Sequence, residues 1–198
     1  VMPLPGEHNV LNALACLAVA HEVEVDFETS AAALKSFGGV QRRFQRLGGA
    51  REIEVIDDYA HHPTEIRATL SAARSVHDGR ILAVFQPHRY TRTRDCMEDF
   101  ATSFNDCDML VISEIYDAGE SRLDGISGES LRDAIAAQGH RDVRFVASMD
   151  EIIAGSGVKK GGIYTHFKSK SELAIEAFKY SYSKLKDYYW DKMTQVDN

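Results

Sequence analysis

Residues 9–21 (NVLNALACLAVAH) carry apolar side chains at helical spacing with few breakers, and the stretch predicts a buried helix. Residues 30–37 predict a second, shorter helix, ended by Gly38-Gly39. Beyond this point the pattern alternates. Residues 52–59 (EIEVIDDY) have strand character, and 63–76 predict a helix opening with proline, whose missing N–H costs nothing in a first turn. Residues 80–87 (RILAVFQP) predict a strand, 93–104 a helix, and 109–116 (MLVISEIY) another strand. A helix follows over 128–138, with Gly139 as its stop, and then a short strand over 143–147. Strands alternating with helices of this length imply βαβ units joined by right-handed crossovers. The expected fold class is therefore α/β, a mostly parallel sheet with helices on its faces.

From Ser148 the pattern changes, and no further strand follows. SMDEIIAG reads as a short helix with a capping box from Ser148 and Glu151. Gly155-Ser156-Gly157 reads as a turn, 158–167 as a second short helix closed by Lys168-Ser169, and 171–189 as a long amphipathic helix. Residues 191–198 read as a frayed end. The expectation is an all-α C-terminal tail behind the α/β part.

Composition narrows the class. The 198 residues suit one sizeable domain, or one domain and part of another. With 44% hydrophobic and 27% charged residues the balance is that of a globular protein. No apolar run approaches the roughly 20 residues that span a bilayer. The N-terminus VMPLPGEHNV has neither a basic nor an apolar leader segment, so no secretory signal is expected. Cys16, Cys96 and Cys107 are odd in number and lack CxxC spacing, which argues against a disulfide framework or a zinc site and fits a reducing cytoplasm. The net charge of -7 is unevenly spread: residues 148–198 hold 8 lysines and 7 acids, while the remainder is strongly acidic. This is a sign of two origins, although a solvated helix face can also be rich in lysine.

The candidate chemistry lies at the strand ends, where parallel sheets place their ligands. The first strand ends in Asp57-Asp58-Tyr59 and runs into His61-His62-Pro63; the second runs into His88-Arg89-Tyr90-Thr91-Arg92; the third ends in Tyr116-Asp117-Ala118-Gly119-Glu120. Three consecutive strand ends would set His, Arg, Tyr and carboxylate side chains along one edge. Arg89 and Arg92, three apart at a helix start, could grip a carboxylate or phosphate, or could form surface pairs with Asp95 and Glu98. His61 and His62 could handle a ligand or proton, or could cap the helix that follows. Asp57 and Asp58 could take a ribose hydroxyl or a metal, or be surface charge. Arg42-Arg43 could reach a phosphate or solvate a linker. No Walker A loop, GxGxxG or HExxH occurs in the chain.

Taken in order, GEHNVLNALACLAVA, GGVQRRFQ, IDDYAHHPTEIRATLSAAR, FQPHRYTRTRD and EIYDAGE resemble the Mur ligase family over roughly residues 1–147. DDYAHHPTE and FQPHRYTRT are similar to its branch that joins L-alanine to UDP-N-acetylmuramate. The resemblance implies an ATP-dependent ligase of peptidoglycan precursor synthesis working through an acyl phosphate, with Mg2+ as cofactor. It implies that residues 1–46 end a central ATP-binding domain, that 47–147 form a Rossmann-like C-terminal domain, and that a hinge lies near 45–49. It assigns His8, Asn9, Asn12, Arg43 and Asp58 to ATP. It assigns Tyr59, His61, His88, Arg89 and Arg92 to L-alanine, the arginines taking the carboxylate. The P-loop, the magnesium-binding segment, the UDP-binding domain and the family's final strand are missing from this sequence. The chain alone is therefore expected not to ligate.

Residues 148–182 resemble the helix-turn-helix of TetR-type repressors, which would make 158–167 a recognition helix. That resemblance sets Lys159, Lys160 and Tyr164 towards DNA and Lys170 near a phosphate. The module lacks its first helix and its dimerising domain. The chain then reads as a chimera joined within 147–157, whose tail either binds DNA or packs on the α/β part.

Overall fold

A computed structural model of the chain describes residues 3–50 and 53–148. The chain divides into two compact units, Val1–Arg46 with Ile56–Phe145, and Leu47–Val55 with Val146–Asn198. β1 (Gln45–Ala50) pairs with β2 (Ile53–Asp57) in a two-stranded sheet, of which residues 47–50 and 53–55 are assigned to the second unit. The helix-turn-helix assignments, including Lys159, Lys160, Tyr164 and Lys170, fall outside the described residues.

The first unit opens with α1 (Glu7–Glu22) and α2 (Phe27–Ser36). It continues through α3 (Pro63–Val76), β3 (Leu82–Phe85), α4 (Tyr90–Asp95), α5 (Met97–Ala101), β4 (Met109–Ser113), α6 (Gly128–Ala137) and β5 (Val143–Val146). The sheet runs β3-β4-β5, with β3 and β4 parallel in the register Leu82↔Met109 to Phe85↔Ile112. This is the α/β architecture that the alternation predicts.

Sequence explains the helices that cover the sheet. α3 begins where Pro63 presets φ and where the Glu65 carboxylate accepts from the His62 N–H at 3.1 Å. Its buried Ile66 and Leu70 are four apart and so share one face. α6 starts at Ser127, whose hydroxyl accepts from the Ser130 N–H at 3.0 Å, and it buries Leu131 and Ile135 completely. Each of those two side chains contributes about 1.5–3 kcal/mol of hydrophobic stabilisation. Gly128 opens α6 against the end of β4, where a Cβ would collide with the Ser113 carbonyl oxygen. The core closes on Phe85, Phe100, Phe104, Leu110 and Ile112, with the Phe85 ring 5.7 Å from Phe100 and 5.2 Å from Phe104. Cys107 is part of it; burial, and then the neighbouring Asp108 charge, push its thiol up to about 12.

Four expectations need correction. α1 forms, but none of its residues is buried: Val10, Leu11, Leu14 and Val19 are all more than half exposed. Its apolar residues are spread around the helix, and α2 and α3 cover only part of that surface. α2 starts at Phe27, because Asp26 caps it by accepting from the Thr29 N–H at 2.8 Å. The helix expected over 93–104 is two short ones, α4 and α5, broken at Cys96. The strand expected over 52–59 pairs with β1 rather than joining the β3-β4-β5 ladder, so the three strand ends do not share one sheet edge.

Candidate active site

The connection from α2 to β1 is fixed by two anchors. The Tyr59 N–H donates to the Arg42 carbonyl at 2.7 Å, and the Phe44 N–H to Asp58 Oδ2 at 2.8 Å. Arg42 and Phe44 hold left-handed conformations, φ 57° and 47°, which side chains tolerate only where surroundings enforce them. The Arg42 guanidinium lies 4.6 Å from the Tyr59 ring centroid and 3.7 Å from Asp57 Oδ2. Asp58 also accepts the Ala60 N–H at 2.7 Å, so its carboxylate ties the loop after β2 to the connection before β1.

Between the anchors sits Arg43, at the mouth of a cavity of about 540 Å³. Such a volume suits a small-molecule ligand. His8, Asn9, Asn12, Arg43 and Asp58 all line it, so the fold brings together every residue that the resemblance assigns to ATP. Apolar walls come from α1, α2 and the 37–44 connection, and α3 adds Thr64 and Glu65. The Asn9 side chain already donates to the Pro5 carbonyl at 2.6 Å.

The second cluster is a row of rings. Tyr59 and His61 meet edge to face at 5.0 Å, His61 and His88 lie at 6.3 Å, and His88 and Tyr116 at 5.0 Å. His88 and Tyr116 also form a backbone bridge that extends the β3–β4 ladder, with the Arg89 N–H donating to the Tyr116 carbonyl at 2.8 Å. Arg92 Nη1 donates to the His88 carbonyl at 3.4 Å. Arg89 caps α4 at φ 75°, and its guanidinium stands 3.9 Å from Glu120. The surface pairs considered for these arginines are absent: Asp95 is taken by Arg94 at 2.7 Å. Tyr59, His61, His88, Arg89 and Arg92 thus surround one patch despite lying after strands of different sheets.

The electrostatics follow from this packing. Burial, then the charges of Arg92, His61 and Arg89, hold the His88 imidazole below its ordinary value, with Glu120 opposing. Its Nδ1 is buried without a hydrogen-bond partner. Burial also acts against the Glu65 carboxylate, but the His61 N–H, Arg43, the His62 N–H and the His61 ring together bring it below the usual range. The Thr91 N–H and hydroxyl hold Glu120 low as well. His62 caps α3, its ring accepting from the Thr64 N–H at 3.4 Å, and its Nε2 lies 4.0 Å from Cys96 Sγ. Among the described residues no group of three or more His, Cys, Asp or Glu could hold a metal ion. No helix among them is long and apolar enough to cross a membrane.

Sequence reasoning missed Glu65 and gave Tyr116 and Glu120 no role of their own. Glu65 stands three residues after His62, the position where a capping box places an acid. Tyr116 and Glu120 belong to the third strand end already noted for its polar residues.

Comparison with known proteins identifies the arrangement. The chain matches the Mur ligase, glutamate ligase domain over residues 42–163, a stretch that runs past residue 147. It is 52% identical over 149 residues to UDP-N-acetylmuramate–L-alanine ligase of Myxococcus xanthus, covering 75% of this chain and 32% of that protein. It is 51% identical over 162 residues to the enzyme of the same name from Geotalea daltonii, covering 81% and 35%. The solved structure of UDP-N-acetylmuramate-alanine ligase from Thermotoga maritima superposes with a TM-score of 0.63 at 34% identity, covering 80% of this chain and 33% of that one. The chain therefore spans about a third of the length of these relatives, and it belongs to the Mur ligase family.

Proposed function

We propose that this chain is the amino-acid-binding part, with one wall of the nucleotide site, of an ATP-dependent ligase that joins L-alanine to UDP-N-acetylmuramate. The observation that carries the reading is the convergence of Arg89 and Arg92 with the Tyr59–His61–His88 row, beside elements that also line the cavity. Two guanidiniums suit an amino-acid carboxylate, which planar nitrogen pairs grip in a fixed orientation. Burial and the neighbouring cations disfavour a proton on His88, which keeps a further positive charge away from the substrate's ammonium group. Holding the carboxylate leaves the amine free to point towards an activated carboxyl carbon, and positioning of this kind is a large part of such catalysis.

In the cavity, Asn9 and Asn12 would face the base, Asp58 the ribose, and Arg43 a phosphate. Asp58 already accepts two backbone N–H groups, yet a carboxylate has about four lone-pair sites and retains capacity. The described residues do not fit a magnesium site, since no three of their His, Cys, Asp or Glu side chains gather to hold one. The phosphate loop and the sugar-nucleotide site would come from the remainder of a full-length ligase.

The test is a titration of the chain with L-alanine, followed by NMR signals of the arginine and histidine side chains. Saturable shifts at His88 and Arg92 are expected. Arg92→Ala should weaken binding by about 10- to 100-fold, the value of a hydrogen bond to a charged group. Ethylamine, which lacks the carboxylate, should not compete. Unshifted signals at millimolar L-alanine would remove the reading.

A further inference from the structure

Glu65 is the one acid that touches both clusters among the contacts described above. Its two oxygens face different ways. Oε1 accepts from Arg43 Nη1 at 3.2 Å, on the cavity side. Oε2 accepts from the His61 N–H at 3.0 Å and the His62 N–H at 3.1 Å, and lies 3.5 Å from His61 Nδ1. His61 Nδ1 is also 2.8 Å from the Tyr59 carbonyl oxygen. A carbonyl can only accept, so Nδ1 carries the proton and is shared between the Tyr59 carbonyl and the Glu65 carboxylate. Arg43 belongs to the nucleotide side and His61 to the ring row, so one carboxylate holds a residue of each.

The Arg43–Glu65 pair is half exposed, with the arginine side chain at 50%. Pairs of this kind are weak and exchange partners readily. A ligand phosphate carries more charge than one carboxylate and offers the guanidinium a bidentate partner. Once Arg43 turns to it, Glu65 loses its only nearby arginine among the described contacts. Its charge then falls more fully on His61 Nδ1 and the two N–H groups, and the Tyr59–His61–His88 row is held more firmly.

We infer that Glu65 is a positioning residue that couples the two sites, so that occupancy of the cavity by a nucleotide triphosphate tightens binding of the amino acid, and the reverse. The inference rests on the reading proposed above. Reciprocity is required, because a coupling free energy belongs to both ligands.

The experiment measures L-alanine affinity of the full chain with and without saturating ATP, and ATP affinity with and without L-alanine. In the wild type each ligand should tighten the other by the same factor, about 5-fold or more. In Glu65→Gln the factor should fall to about one, within a twofold error set well below the range typical of coupled sites. The factor is a ratio taken within one protein, so a change in either ligand's own affinity for the variant does not enter it. Glutamine keeps an oxygen for the His61 and His62 N–H groups, so the start of α3 survives, but that oxygen cannot serve Arg43 as well. Thermal unfolding should therefore stay near that of the wild type. Independently of any variant, ATP alone should shift the His61 ring signals of the wild type. A factor of one in the wild type, a factor retained in Glu65→Gln, or unmoved His61 signals with ATP bound would each overturn the coupling and leave the proposed function standing. Failure of both ligands to bind the wild type would remove the proposed function, and the coupling with it.

Discussion

His88 holds two conflicting roles at once. Its backbone extends the sheet by bridging to Tyr116, while its ring stands among cations with Nδ1 buried and unpartnered. Its proton affinity in the fold is below the ordinary 6.5. As pH falls through that value the unfolded chain takes up the proton first, so this residue removes stability on acidification and none is lost above it. Urea unfolding at pH 7, 6 and 5 should show a shallower decline for His88→Asn than for the wild type. Equal slopes would mean that the ring is better solvated than its packing implies. The residues that gather into one patch were legible in the sequence, since paired arginines and adjacent histidines stand out after apolar strands. Glu65 was not, because its role depends on two oxygens facing loops that meet only in three dimensions, Arg43 being 22 residues away. The same limit hid the partners of Glu120, which serves Thr91 and Arg89 across a separation of about thirty residues.

Among elements, those with strong end signals were read at their observed limits. The helix expected over 63–76 is α3 as found, because a proline start and a run of helix formers leave little freedom. Elements without such signals drifted. β1 contains Gly48 and Gly49, which weaken a strand signal, and only its pairing with β2 makes it a strand. The break at Cys96 has no proline or glycine to announce it. α6 gives the sharpest mechanical test at this scale. Gly128→Ala should destabilise the chain by about 1–3 kcal/mol, since the methyl would clash with both the Ser113 carbonyl and the Phe145 ring. Chemical denaturation checks this, and an unchanged midpoint would mean that α6 can shift on β4 without cost.

For the molecule as a whole, the buried core and the apolar surface of α1 set opposite tendencies. The core is complete around β4, where Leu110 and Ile112 have no exposure. α1, by contrast, presents Val10, Leu11, Leu14 and Val19 to solvent, with Phe27 and Phe37 of the following segment also exposed. Apolar side chains spread around a helix are normally enclosed, and here those of α1 stand open. The folded chain should enhance the fluorescence of an apolar dye such as ANS, and replacing Leu11 and Leu14 by glutamine should cut that enhancement. Undiminished fluorescence in the double variant would place the dye elsewhere. No sequence pattern distinguishes an enclosed apolar helix from an open one, because periodicity reports the helix and not its neighbours.

The parallel register carries one more consequence, for how fast this core assembles. Leu82 meets Met109, so the chain between them must be gathered into a loop before the first rung forms. The entropy of that closure is lost before Phe85, Phe100 and Phe104 can bury one another. Folding speed is then governed by the crossover that carries His88, Arg89 and Arg92, and the segment proposed to hold the amino acid is also the one that times the fold.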